Sequence, residues 1–158
     1  MNINIRGSLY DLTSPKVMGI LNLTPDSFYD GGKFKGLKEI DVHISKMVND
    51  GMDILDIGGY SSRPGAKEIS LDDEMSRVLP TLKHIKKKFP DLIISIDTFR
   101  SEVAKCCLIE GADIINDISA GSIDKEMIKT ISNFNCTYIM MHMLGTPQNM
   151  QNSPSYKD

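Results

Sequence analysis

Apolar residues along this chain fall into two alternating patterns. Short continuous apolar runs, of the kind buried parallel strands show, span Val17–Leu23, Asp53–Gly58, Leu92–Asp97, Asp113–Ile118 and Cys136–Met143. Between them apolar residues recur every three or four positions, which predicts helices. The first helical pattern is Leu37, Ile40, Ile44, Met47 and Val48, with Gly51 placed to end it. The second, Met75, Val78, Leu79, Leu82 and Ile85, opens on Ser70 and Asp73, spaced as a capping box. Pro80 lies inside it and predicts a kink, and Lys86 to Lys88 read as a solvated last turn. The third has Val103, Ala104, Cys107 and Leu108 inward, Thr98 as its expected N-cap and Gly111 at its end. The fourth follows Ser122, with Ile123, Met127, Ile128 and Ile131 expected inward. Ahead of all this, Ile3, Ile5 and Leu9 around Arg6-Gly7 predict a short hairpin. The end, GTPQNMQNSPSYKD, has loop composition.

Strand alternating with helix implies an α/β fold with parallel strands. Gly51-Met52-Asp53-Ile54-Leu55-Asp56 is echoed by Gly111-Ala112-Asp113-Ile114-Ile115-Asn116, a repeat two βα units long. Alternate strands of a (β/α)8 TIM barrel share interior layers, so the repeat predicts Asp56 and Asn116 at one level. An open doubly wound sheet is the rival, but no GxGxxG follows any strand. A whole barrel needs about 250 residues. The expectation is therefore one domain over 1–158, holding the first five strands and four helices and incomplete at its C-terminal end.

Composition narrows the function classes. A net charge of −3 leaves no basic footprint for nucleic acid. No apolar run approaches the ~20 residues of a membrane span, and the N-terminus lacks a secretory pattern. Three cysteines without a CxxC point to packing roles in a reducing cytoplasm.

Polar residues at strand ends carry the chemistry. Asn22, Asp56, Asp97 and Asn116 each interrupt or end an apolar strand. Burying such groups is costly unless they are bonded. Asp56 alone fits a structural network, but four on successive strands fit one pocket at the carboxyl face. Carboxylates and carboxamides without a His or Cys cluster suit an NH-bearing heterocycle or an oxygen-liking cation such as Mg²⁺. The loop after Asn22 adds Thr24, Asp26, Phe28 and Gly31-Gly32. The loop after Gly58 offers Ser61, Ser62, Arg63 and Gly65, a hydroxyl and guanidinium set suited to a phosphate or pyrophosphate. His142 and Met141, after the fifth strand, fit either core or site.

MGILNLTPDSFYDGG, DILDIGGYSSRPGA, ISIDTFRSEVA, GADIINDISAG and MHMLGTPQNMQ together resemble the dihydropteroate synthase family, over nearly all of the chain. The resemblance implies a (β/α)8 barrel, dimeric at full length, that joins 6-hydroxymethyl-7,8-dihydropterin diphosphate to 4-aminobenzoate. The products are 7,8-dihydropteroate and pyrophosphate, and sulfonamide-type compounds would compete. By match, Asn22 would touch Mg²⁺ and the diphosphate, and Asp26 and Phe28 would lie in a mobile substrate loop. Ser62 and Arg63 would sit near diphosphate and aminobenzoate. Asp97 and Asn116 would hold the pterin, with Met141 against its face, and Arg63 and Asp97 would be the catalytic pair. This chain departs from the pattern at Tyr60, where many members have Glu, and at Ser62, where they have Thr. A methyltetrahydrofolate-corrinoid methyltransferase, a related pterin-binding barrel, is the nearest alternative. A non-catalytic half-barrel is the other.

Overall fold

Parallel strands must be joined by crossovers, and the helical patterns between the apolar runs provide them. The structure, a computed structural model, describes residues 1–23, 29–30, 33–34, 36–61, 68–146, 150 and 155. An antiparallel hairpin, β1 (Asn2–Ile5) and β2 (Ser8–Asp11), precedes β3 (Met18–Asn22). A two-residue ladder, β4 (Tyr29–Asp30) with β5 (Lys33–Phe34), leads to α1 (Leu37–Asn49). Then follow β6 (Ile54–Gly58), α2 (Leu71–Lys88), β7 (Ile93–Asp97), α3 (Ser101–Ile109), β8 (Ile114–Asp117), α4 (Met127–Phe134) and β9 (Thr137–Met140). The main sheet is parallel, in the order β3-β6-β7-β8-β9.

The two faces of the main sheet are covered differently. Leu21, Leu55, Ile57, Ile94, Ile96 and Ile115 are fully buried and pack on the helices. Each such side chain contributes roughly 1.5–3 kcal/mol. The helices answer with Ile40 and Ile44, with Val78, Leu82 and Ile85, and with Val103, Ala104 and Cys107. The opposite face, which lines the interior of a barrel, buries Ile54 and Ile114 under Ile5 of the hairpin, with Ile3, Tyr10, Met18 and Ile93 around them. The hairpin thus covers the amino end of that face. Its turn puts Arg6 at φ 52 and Gly7 at φ 78. Positive φ is costly for arginine, but the guanidinium gains bonds to Asp113 at 2.7 Å, Leu92 O at 2.8 Å and Pro90 O at 3.2 Å.

Several local expectations are corrected. Thr98 does not cap α3: the N-cap is Arg100, and Asp124 accepts from Ser101 N at 2.7 Å. The Thr98 hydroxyl donates to Glu74 Oε1 at 2.7 Å and accepts from Arg100 N at 3.2 Å, in the turn ahead of the helix. Helix α2 begins on the expected capping box but runs through Pro80 as one element. Its last turn is not simply solvated, since Lys88 reaches Asp41 at 2.6 Å and Lys86 lies 3.7 Å from Asp113. Ile123 and Ile128 are exposed, at 44% and 51%. Helix α4 starts only at Met127, and it packs on α3 through Met127 and Ile131 while its other flank faces outward. Leu37 and Val48 likewise sit at the exposed margin of α1.

Candidate functional site

Register brings the polar strand ends together. Asn22 pairs with Gly58, Gly58 with Asp97 and Asp97 with Asn116, so one row crosses four adjacent strands at their carboxyl ends. Register partners in parallel strands share a face, and this row lies on the interior one. Gly58 contributes space: a Cβ there would stand 3.4 Å from both Asn22 Oδ1 and Asp97 Oδ2. Glycine leaves that position open between two oxygen-bearing side chains. Met141, two residues past Ile139, continues the row's parity beyond β9, and its N–H donates to Asp117 O at 3.1 Å.

One layer below, Asp56 pairs with Ser95, and Ser95 with Ile114. Asp56 is therefore level with Ile114 and not with Asn116, which corrects the expectation drawn from the repeat. The two polar groups still meet, because Asn116 Nδ2 donates to Asp56 Oδ2 at 3.1 Å. What the repeat encodes is a strand-start clamp. Asp53 accepts from Val17 N at 2.8 Å, and Asp113 from Ile94 N at 2.9 Å. Each aspartate ties the start of its strand to that of the neighbour.

The site is electrostatically tense. Burial pushes the Asp97 carboxyl up to about 7, with the charges of Asp56, Glu74 and Asp117 adding to it. Burial also raises Asp56, opposed by Ser95 and Asn116 nearby. Ser95 does not reach hydrogen-bond geometry, so among the described residues Asp56 Oδ1 and Ser95 Oγ are buried without a partner. Unpartnered buried acceptors at the floor of a polar row are what a donor-rich ligand would satisfy.

The Asp97 shift predicts a pH dependence. In the folded chain Asp97 keeps its proton up to about pH 7, against 3.8 for an unperturbed aspartate. Between those values the folded state binds more protons than the unfolded one, so stability falls as pH rises through this window. Thermal melts without ligand should show a midpoint that drops from pH 5 to pH 8, with a flatter profile in Asp97→Asn. Parallel profiles for the two proteins would refute the assignment.

A cleft of about 470 Å³ lies at the opposite end of the strands, lined by Arg6, Lys86, Asp113 and Cys136 among others. Both of its cations are directed at Asp113, and Arg6 is held further by the Pro90 and Leu92 carbonyls. Cys107 is a packing residue, its thiol pushed up to about 12 by burial. Among the described residues no three His, Cys, Asp or Glu side chains gather as a metal cluster.

A family model described as "Pterin binding enzyme" matches residues 18–158. The chain belongs to the pterin-binding enzyme family. It is 45% identical to a dihydropteroate synthase of Staphylococcus haemolyticus, over 83% of this chain and 48% of that protein. A Yersinia pestis dihydropteroate synthase in complex with a sulfonamide drug superposes over 100% of this chain and 57% of its own, at TM-score 0.85 and 40% identity. The Xanthomonas albilineans synthase with 4-aminobenzoic acid covers 99% and 54%, at TM-score 0.82 and 33% identity. The chain thus spans about half the length of each, and its sheet is part of the pterin-binding enzymes' barrel.

Of the residues singled out in the sequence, Asn22, Asp97 and Asn116 are brought together in one row, and Met141 follows two residues beyond Ile139, the register partner of Asn116. Asp26, Phe28, Ser62 and Arg63 fall outside the described residues. His142 is exposed. Tyr60, the departure from the usual Glu, is 7% exposed and meets Phe99 edge-to-face at 5.1 Å. Sequence reasoning passed over Glu74 and Arg100. Glu74 is fully buried, yet it sits in an acidic first turn, DDEM, that reads as dipole-compensating surface. Among the described residues no helix is long and apolar enough to cross a membrane.

Proposed function

We propose that the polypeptide carrying this chain is a dihydropteroate synthase. It would condense 6-hydroxymethyl-7,8-dihydropterin diphosphate with 4-aminobenzoate to give 7,8-dihydropteroate and pyrophosphate. The observation that carries the reading is the row Asn22–Gly58–Asp97–Asn116 above the unpartnered Asp56 Oδ1. Carboxylate and carboxamide acceptors, set at one level around an open glycine, suit a flat ring with several N–H donors. The solved relatives carrying a sulfonamide or 4-aminobenzoic acid support the second substrate and its competitors. Residues 1–158 form five strands of the barrel domain, with the other strands supplied outside this segment. Exposed Ile20 and Met140 on the two edge strands agree with that. The full enzyme would be a homodimer, and the free cysteines suit a cytoplasmic setting.

In the reaction the bond from the pterin methylene to the diphosphate oxygen breaks, and its electron pair leaves with pyrophosphate. The aromatic amine then bonds to the methylene and gives up a proton. Asp97 and Asn116 would hold the ring so that the methylene faces the amine, with Met141 on the ring's face. Arg63 and the Ser62 hydroxyl would receive the negative charge of the leaving group. Asp26 and Phe28 would help cover the site, keeping water from the electrophilic methylene. Asn22 Oδ1, beside the space at Gly58, would be the oxygen ligand offered to Mg²⁺, which favours oxygen and keeps several waters. When bound, the cation supplies charge compensation for the diphosphate.

Release of pyrophosphate on mixing the pterin diphosphate with 4-aminobenzoate tests the reading, and its absence from a folded, pterin-binding protein overturns it. Arg63→Ala should weaken use of the diphosphate by about 10–150-fold, the value of a charge-assisted bond of roughly 1.5–3 kcal/mol. Binding of the pterin alcohol, which has no anion, should barely change. Equal losses for both ligands would assign Arg63 to structure instead.

A further inference from the structure

Beside the polar row, one side chain grips an element it does not belong to. Arg100, in the turn after β7, donates from Nη1 to Glu74 Oε2 at 2.6 Å and to Ser70 O at 3.2 Å, and from Nη2 to Ile69 O at 2.7 Å. Its Cζ stands 5.4 Å from the ring centres of both Tyr60 and Phe99. Glu74, fully buried, completes its pairing through Thr98 Oγ1 at 2.7 Å. Two contacts fix the entry to the same loop. Arg77 Nη1 donates to Gly59 O at 3.0 Å, and a Cβ on Gly59 would stand 2.6 Å from Val78 Cγ2. Backbone and helix are therefore in close contact where the loop leaves β6.

Arg100 thus touches both ends of the connection from β6 to α2: Tyr60 on the way out, Ile69 and Ser70 on the way back. We propose that Arg100, seated on Glu74, is a positioning residue that holds the two ends of this connection, at Tyr60 and at Ile69–Ser70, and acts on substrate only through it. The proposal rests on the synthase reading, because the connection carries Ser62 and Arg63. The chemistry is particular to arginine. A planar fork can serve a carboxylate and two carbonyls at once while stacking on aromatic rings, and an ammonium cannot. A buried ion pair adds little net stability over an apolar pair, so geometry is the better account of why one sits here.

Arg100→Lys separates geometry from charge. Lysine keeps a cation opposite Glu74 but cannot reach both carbonyls. In the polypeptide carrying this chain, amides at 59–61 and 68–70 should exchange hydrogen about tenfold faster or more, with β7 and β8 unchanged. The KM for the pterin diphosphate should rise about tenfold, while the dissociation constant for the pterin alcohol stays within about twofold. Unchanged exchange at both loop ends overturns the proposal whatever the enzyme's activity. Faster exchange with equal losses for alcohol and diphosphate overturns it too, leaving Arg100 a general stabiliser. If the unaltered protein releases no pyrophosphate, the synthase reading fails, and the exchange result alone decides whether Arg100 holds the loop's two ends. Should Arg100→Lys not fold, the double variant Arg100→Gln with Glu74→Gln removes both charges and must show the same local exchange.

Discussion

Asp97→Asn lowers affinity for the pterin alcohol by about 30-fold or more, on the order of 2–4 kcal/mol, in a protein that still folds. Asp97 ends β7 on the interior face, paired in register with Gly58 and Asn116. An ionised carboxylate only accepts hydrogen bonds, and a pterin ring presents N–H donors. The amide keeps the shape but turns one acceptor into a donor, which opposes the ligand inside a site that excludes water. Ligand and proton also compete. Without ligand the Asp97 carboxyl is held up to about 7 by burial and by the neighbouring carboxylates, whereas the ring's donors favour the ionised form. Affinity for the unaltered protein should therefore rise from pH 6 to pH 8, and the Asn variant should lack that rise. Asn116→Ala should weaken binding more mildly, since it removes a neutral partner. Calorimetric titration decides the matter: unchanged affinity in Asp97→Asn would place the heterocycle elsewhere.

Asp117→Ala destabilises the fold by about 3–5 kcal/mol, because four buried or half-buried donors on three residues lose their acceptor at once. Asp117 is fully buried on the helix-facing side of β8. It accepts from Ser119 N at 2.7 Å, Ser119 Oγ at 2.8 Å, Gly121 N at 2.8 Å and Tyr138 OH at 2.6 Å. The turn it organises holds Ala120 at φ 48 and Gly121 at φ 76, a conformation that needs such bonds to persist. Burial, together with the same contact, raises the Tyr138 phenol above its ordinary value and keeps it a donor. Urea unfolding should show a lower midpoint with an unchanged slope. A loss below about 1 kcal/mol would mean that water replaces the carboxylate at little cost.

The amino-acid sequence by itself determined the order of the five parallel strands and four helices and the fold class, because buried parallel strands leave continuous apolar runs and amphipathic helices leave a period of about 3.6. The Ser70–Asp73 capping box and the Arg6-Gly7 hairpin were legible for the same reason: both depend on neighbours in the chain. Asn22, Asp97 and Asn116 stood out as polar groups on apolar strands, and their motifs named the family. Register was not legible. A shift of two residues between strands preserves every side chain's face, so periodicity cannot tell whether Asp56 stands level with Asn116 or one layer beneath it. Only strand pairing settled that, and it turned an apparent repeat of site residues into a pair of strand-start clamps at Asp53 and Asp113. Glu74 and Arg100 were hidden for a related reason. Charge on a helix's first turn and in a loop reads as solvated until the fold closes over it, and 26 residues of chain separate the two partners. Tertiary packing alone brought them within 2.6 Å, beside the loop that the proposed chemistry requires.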